Sequence, residues 1–212
     1  MIKTSVSSLP YNDNILESLP IILNSKTDFL HLDIMDGSLT EKTTFNYEKV
    51  AEINSNSTIF LDCHLMINEP TEILKKYVKA GCNIITIHFE AYKDKLKLIE
   101  DLNYLKEKKV IVGLSIYPDT KIEDIVLYKN YFDLLLIMSV NIGKYGQNFI
   151  ENTFEKILEA KKELPTKLIE IDGGVNLENI GKLKSLGVDI VVVGSSFQNA
   201  EKKEEFITNL KK

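Results

Sequence analysis

Residues 59–90 read IFLDCHLMINEPTEILKKYVKAGCNIITIHFE: an apolar run of strand length, a stretch from Pro70 to Ala80 with helical periodicity, and a second apolar run. Gly81 stands where the helix should stop. Two strands joined by one helix run parallel, because the helix carries the chain back to the end from which the first strand set out. The same unit recurs on both sides. Strand-like runs precede it at IKTSVSS (2–8) and FLHLDIM (29–35) and follow it at VIVGLSI (110–116), LLLIMSV (134–140), KLIEIDG (167–173) and DIVVVGS (189–195), eight in all. Helical spacing fills the later intervals at Lys93 to Lys108, Ile122 to Asn130, Asn152 to Leu164 and Leu177 to Leu186, with Thr153 and Asn176 read as N-cap or first-turn residues and Gly187 as a stop.

Eight strand–helix units in 212 residues predict an α/β fold, a single (β/α)8 TIM barrel at the compact end of its range. A doubly wound open sheet is the alternative, but it leaves edge strands, and the first and last runs are no more polar or broken than the middle ones. No Pro-, Ser- or Gly-rich stretch or charge block divides the chain, so residues 1–212 are read as one catalytic domain. A net charge of −5 offers nothing basic enough for nucleic acid. The N-terminus has no signal-peptide pattern and no apolar run reaches membrane length, so a cytoplasmic protein without a membrane partner is expected. Cys63 and Cys82 lie in no metal or redox spacing and are read as buried free thiols.

Strands covered on both faces of a parallel barrel should be almost wholly apolar. Several here are not. Alternation along 29–35 puts His31, Asp33 and Met35 on one face, and along 60–66 it puts Asp62, His64 and Met66 together; Glu170 and Asp172 share a face of the seventh run. Burying several unpaired carboxylates is too unfavourable for a marginally stable chain, so these groups should be compensated by one another or by a cation. His31 or His64 alone would read as a hydrogen-bonded core histidine. Together, His31, Asp33, His64 and Asp172 offer two imidazoles and two carboxylates near the C-terminal ends of three strands, where barrel active sites are assembled, and that set suits a divalent metal. His88 is read as a core or supporting residue, Asp62 and Glu170 as hydrogen-bonding support, and Asp36 as a turn residue.

Glycine-bearing turns follow the last three strands: Asn141 to Gln147, Gly173-Gly174, and Gly194-Ser195-Ser196. Backbone amides in such turns can cradle a phosphate, and barrels commonly bind phosphate at strands seven and eight.

The strings HLDIMDG (31–37), DCHLMINEP (62–70), HFEA (88–91), MSVNIGKYGQNFI (138–150), IEIDGGVN (169–176) and VVGSS (192–196), in this order and spacing, resemble the ribulose-phosphate 3-epimerase family along nearly the whole chain. The resemblance implies a barrel of the ribulose-phosphate-binding type and epimerisation at C3 of a ketose phosphate, D-ribulose 5-phosphate to D-xylulose 5-phosphate in the pentose phosphate pathway. It implies one divalent ion (Zn, Fe, Mn or Co) on His31, Asp33, His64 and Asp172, with Asp33 and Asp172 doubling as the catalytic acid/base pair on either side of an enediolate that the ion stabilises. Ser7 matches a serine that contacts substrate, His64 is placed beside it, and Met35, Met66 and Met138 match methionines that line the pocket. Gly146, Gly174, Gly194 and Ser195 fall in the phosphate loops, with Gly173 in the same turn as Gly174. A homo-oligomer is a further family-based expectation.

Two loops depart from the family's pattern. Where the family tends to read NPGFGGQ this chain has Asn141-Ile142-Gly143-Lys144-Tyr145-Gly146-Gln147, and SLTEKTTF from Ser38 replaces HFVPNLTF. Both changes bear on substrate identity and leave D-allulose-6-phosphate 3-epimerase as the alternative. A metal-free phosphate-binding barrel and a non-catalytic sugar-phosphate sensor are the readings from other classes; metal content and exchange of the C3 proton with solvent discriminate them.

Overall fold

Leu30, Leu32 and Ile34 alternate with His31, Asp33 and Met35 along one strand, and that alternation decides which side of the sheet each residue takes. The computed structural model describes residues 1–212. Its strands are β1 (Lys3–Ser7), β2 (Phe29–Met35), β3 (Phe60–Met66), β4 (Ile84–His88), β5 (Ile111–Ile116), β6 (Leu134–Met138), β7 (Leu168–Asp172) and β8 (Ile190–Val193). Each pairs in parallel with its successor, and β8 pairs with β1, so the sheet is a closed eight-stranded barrel rather than an open sheet with edges.

The connecting helices are α1 (Ile15–Asn24), α2 (Tyr47–Ser55), α3 (Thr71–Ala80), α4 (Lys95–Glu107), α5 (Ile122–Ile125), α6 (Thr153–Glu163), α7 (Ile180–Ser185) and α8 (Ser195–Asn199), and α9 (Lys203–Lys211) ends the chain. Their apolar faces pack on the outward side of the strands: Leu30, Leu32, Ile34, Leu61, Cys63 and Leu65 are fully buried in the same core as Leu74, Leu98, Leu102 and Ile157. This shell of aliphatic side chains between barrel and helices is the main source of stability. Cys63 and Cys82 are buried free thiols.

Two local expectations need correction. The helix expected over Leu177 to Leu186 begins only at Ile180, because the Asn176 side chain accepts hydrogen bonds from the amides of Glu178 and Asn179 and holds a turn there; Asn179, not Asn176, occupies the cap position. The helix expected over Ile122 to Asn130 is a single α turn, Ile122–Ile125, continued by a 3-10 turn over Val126–Tyr128. The stop at Gly81 is as expected: it caps α3 in the left-handed region, at φ +95°. No helix is long and apolar enough to cross a membrane.

Candidate metal and acid–base site

Register brings the polar strand residues side by side. Across β2 and β3, His31 pairs with Asp62, Asp33 with His64 and Met35 with Met66; across β6 and β7, Met138 pairs with Asp172. Because β2 and β7 are separated around the barrel by β1 and β8, contacts between them cross the interior. His31 Nε2 lies 3.6 Å from Asp33 Oδ1 and 3.8 Å from Asp172 Oδ2. His64 Nδ1 lies 3.7 Å from the same Asp33 oxygen and 3.8 Å from the same Asp172 oxygen. The expected quartet is therefore gathered in one place at the C-terminal mouth.

A divalent cation suits this donor set. Both His31 Nε2 and His64 Nδ1 are buried without a hydrogen-bond partner, and one ligand atom from each of His31, Asp33, His64 and Asp172 lies within 4.8 Å of all the others. Separations of 3.6 to 3.8 Å are too long for hydrogen bonds. They are close to the ~3.4 Å that separates tetrahedral ligands each ~2.1 Å from a shared ion.

The far side of each imidazole is tied down. His31 Nδ1 lies 2.7 Å from Asp62 Oδ2, which also accepts the Ser5 hydroxyl at 2.7 Å, so His31 donates from Nδ1 and turns Nε2 to the quartet. His64 Nε2 lies 2.7 Å from His88 Nε2. Sequence spacing disclosed no such partner for His88, because the contact joins adjacent strands. Ser7, expected at the substrate, donates its hydroxyl to Asp33 Oδ2 at 3.0 Å and accepts the Leu9 amide at 3.2 Å.

The carboxyls titrate apart. Burial would raise Asp33, but the facing His31 and His64 imidazoles outweigh it and hold the group well below the usual carboxylate range. Burial raises Asp172 to about 6; His31 opposes the shift and the Asp33 charge assists it. Burial, with the Asp62 charge beside it, pushes Glu170 well above its ordinary value and favours the neutral acid. For His31, burial disfavours the cation, yet Asp62 and Asp33 raise it well above the ordinary value, so a metal ion must displace a proton there. Burial lowers His88 to about 4, leaving it neutral.

Above this floor one cleft is lined by Ser7, Asp33, Met35, Met66, Met138, Gly146, Asp172, Gly173, Gly174, Gly194 and Ser195, so the residues expected to meet substrate and phosphate are drawn together. His31 and His64 lie fully buried behind it. Lys144 and Tyr145 also line the cleft, and no other Lys or Arg does. The Tyr145 hydroxyl donates to Gln198, and its ring edge stands 3.6 Å from where a Cβ on Gly194 would lie. The departure of this loop from the NPGFGGQ pattern was the only sequence signal for either side chain. The loop after β2 reaches the same rim: an added Cβ on Gly143 would collide with Thr40.

The sequence profile described as the Ribulose-phosphate 3 epimerase family matches residues 1–198. The chain is 37% identical over 181 residues to the ribulose-phosphate 3-epimerase of Chlamydia pneumoniae, covering 82% of this chain and 78% of the relative. It is 36% identical over 200 residues to the enzyme of that name from Aquifex aeolicus, covering 92% and 88%. The cytoplasmic isoform of ribulose-phosphate 3-epimerase from Oryza sativa subsp. japonica is 33% identical, covering 87% and 82%. Among solved structures, 3-keto-L-gulonate-6-phosphate decarboxylase from Vibrio cholerae superposes with a TM-score of 0.77 at 12% identity, covering 99% of this chain and 95% of that one, a likeness of fold alone.

Proposed function

The chain belongs to the ribulose-phosphate 3-epimerase family, and from that membership we propose that it interconverts D-ribulose 5-phosphate and D-xylulose 5-phosphate, one of Asp33 and Asp172 removing the C3 proton and the other delivering a proton to the opposite face. It is an isomerase, of the kind that inverts one carbon of a carbohydrate. The observation that carries the reading is the meeting of two carboxylates, from β2 and β7, over a pair of inward-turned imidazoles at the floor of a single cleft.

Epimerisation beside a ketone needs a base on one side of the carbon, an acid on the other, and stabilisation of the enediolate between them. His31, Asp33, His64 and Asp172 would hold one divalent cation, which when bound supplies positive charge against the oxyanion that develops on the substrate. Asp33 points Oδ1 at the quartet and receives the Ser7 hydroxyl on Oδ2, so Ser7 orients the carboxylate as a base. Asp172 directs Oδ2 to the quartet and leaves Oδ1 for the proton. Of the two carboxyls Asp172 takes up a proton more readily, which supports it as the acid partner to Asp33 as base. Met35, Met66 and Met138 give the cleft a polarizable wall poor in water. The turns at Gly146, Gly173-Gly174 and Gly194-Ser195 would take the phosphate, with Lys144 as the cationic side chain beside them.

On this reading residues 1–212 act as one catalytic domain in the cytoplasm, within the pentose phosphate pathway and as a homo-oligomer. Purified, metal-loaded protein offered D-ribulose 5-phosphate and D-allulose 6-phosphate in parallel decides the substrate: the proposal expects the larger kcat/KM on the five-carbon sugar. Preference for the six-carbon sugar would transfer the chemistry to the alternative, and no exchange of either C3 proton in deuterated water would refute it.

A further inference from the structure

Behind His64, on the side away from the cleft, a line of hydrogen bonds leads through His88 to Glu90. His64 Nε2 meets His88 Nε2 at 2.7 Å, and His88 Nδ1 meets Glu90 Oε2 at 3.3 Å. Glu90 Oε1 accepts the Tyr117 backbone amide at 2.8 Å and the Thr120 hydroxyl. His64 and His88 are fully buried, and their rings meet edge to edge, with centroids 4.8 Å apart and planes inclined by 30°.

The direction of this line follows from its fixed end. A backbone N–H can only donate, so Glu90 is held as an acceptor, and charge-assisted bonds favour its carboxylate form. His88 must then present N–H at Nδ1 and a bare Nε2. At 2.7 Å the two facing Nε2 atoms need one proton between them, so His64 supplies it, and its Nδ1 is left bare toward Asp33 and Asp172. The reverse order would put a proton on His64 Nδ1 and close that position to a cation.

We propose that His88 and Glu90 are positioning residues that hold His64 in the tautomer whose Nδ1 lone pair faces the quartet, a role resting on the reading of the quartet as a cation site. Neither residue lines the cleft. Asp62 does the corresponding work for His31, so each imidazole of the site is aimed by a carboxylate on its far side.

Zn(II) affinity, measured by competition with a chelator and without substrate, tests this together with 15N shifts of the His64 ring. The wild type is expected to show His64 protonated at Nε2. His88→Phe, which fills the space but accepts nothing, should weaken Zn(II) binding about 10- to 100-fold. His88→Gln, whose carbonyl can accept the His64 proton, should recover most of the loss. Glu90→Gln, which leaves both rings in place, should weaken binding less than His88→Phe and carries the test if the latter fails to fold. Affinities of folded variants equal to wild type, a proton on His64 Nδ1, or a wild type that takes up no Zn(II) would each overturn the proposal. Protein that binds Zn(II) in this His88-dependent way yet turns over no sugar phosphate would leave the relay standing and remove the assigned reaction.

Discussion

Asp33 and Asp172 share the same two imidazole neighbours, yet they hold protons differently: burial raises both, but at Asp33 the closer His31 and His64 rings outweigh it, whereas at Asp172 His31 opposes it only in part and the Asp33 charge adds to it. Asp172→Asn removes the group that exchanges the proton but preserves volume, so turnover and deuterium incorporation at C3 should fall at least about 10³-fold with an unchanged circular dichroism spectrum. Metal affinity should depend on pH with a definite sign. A cation must displace protons, so affinity rises with pH; His31 keeps its proton well above the ordinary range, Asp172 adds a second below about 6, and the dependence should be steeper on the acid side. Calorimetric titration with Mn(II) between pH 5 and 8 would show the break. Lys144 offers an exposed charge to a phosphate dianion, worth about 1 kcal/mol, so Lys144→Met should raise KM roughly fivefold with little change in kcat, and added salt should narrow the difference. These residues differ in how visible they were. His31, Asp33, His64 and Asp172 stand out because charge is so unexpected on a doubly covered strand, whereas Ser5 is ordinary in composition and gains its role only from Asp62 on another strand, Ser7 was marked only by the resemblance, and Glu90 gains its role from His88, Tyr117 and Thr120.

At the scale of elements, the turn after β7, assigned to the phosphate in the proposed function, needs its second glycine. Gly174 sits at φ +64°, and a Cβ added there would stand 2.5 Å from the Phe149 amide nitrogen. Gly174→Ala should therefore destabilise the protein by about 1–3 kcal/mol, lowering Tm by roughly 2–4 °C per kcal/mol, and raise KM for the phosphorylated substrate. Scanning calorimetry and steady-state kinetics on the same preparation check both. Strand positions were legible because period-two alternation and apolar runs survive in every unit. Helix starts were less so: the turn at Asn176 depends on side-chain to backbone hydrogen bonds that compete with helix at nearly equal energy, and past Ile125 the chain tightens into a 3-10 turn over Val126–Tyr128.

For the molecule as a whole, the barrel closes over an interior where buried polar groups share the space with a small apolar cluster that includes Ile84, Leu134, Leu136 and Ile190. Glu170 has neither carboxylate oxygen paired, and Thr86 and Ser115 hydroxyls are buried without partners. A cation that binds only the folded chain should be a large part of its stability. At a hundredfold excess over Kd it contributes about 2.7 kcal/mol, so chelation should lower Tm by about 5–10 °C, reversibly on adding back Zn(II) or Mn(II). An unchanged Tm in a sample shown metal-free by elemental analysis would contradict this.

The order of eight strand–helix units and the face each polar residue takes follow from the chain alone, because alternation and spacing are properties of neighbours in sequence, while the family was legible through the resemblance of its motifs. Only the closed sheet decided that Asp33 and Asp172 share two imidazoles, that His88 backs His64, and that Lys144 and Tyr145 stand at the rim of the cleft. Register between strands and the diameter of the barrel set those distances, and both arise from pairings among residues far apart along the chain.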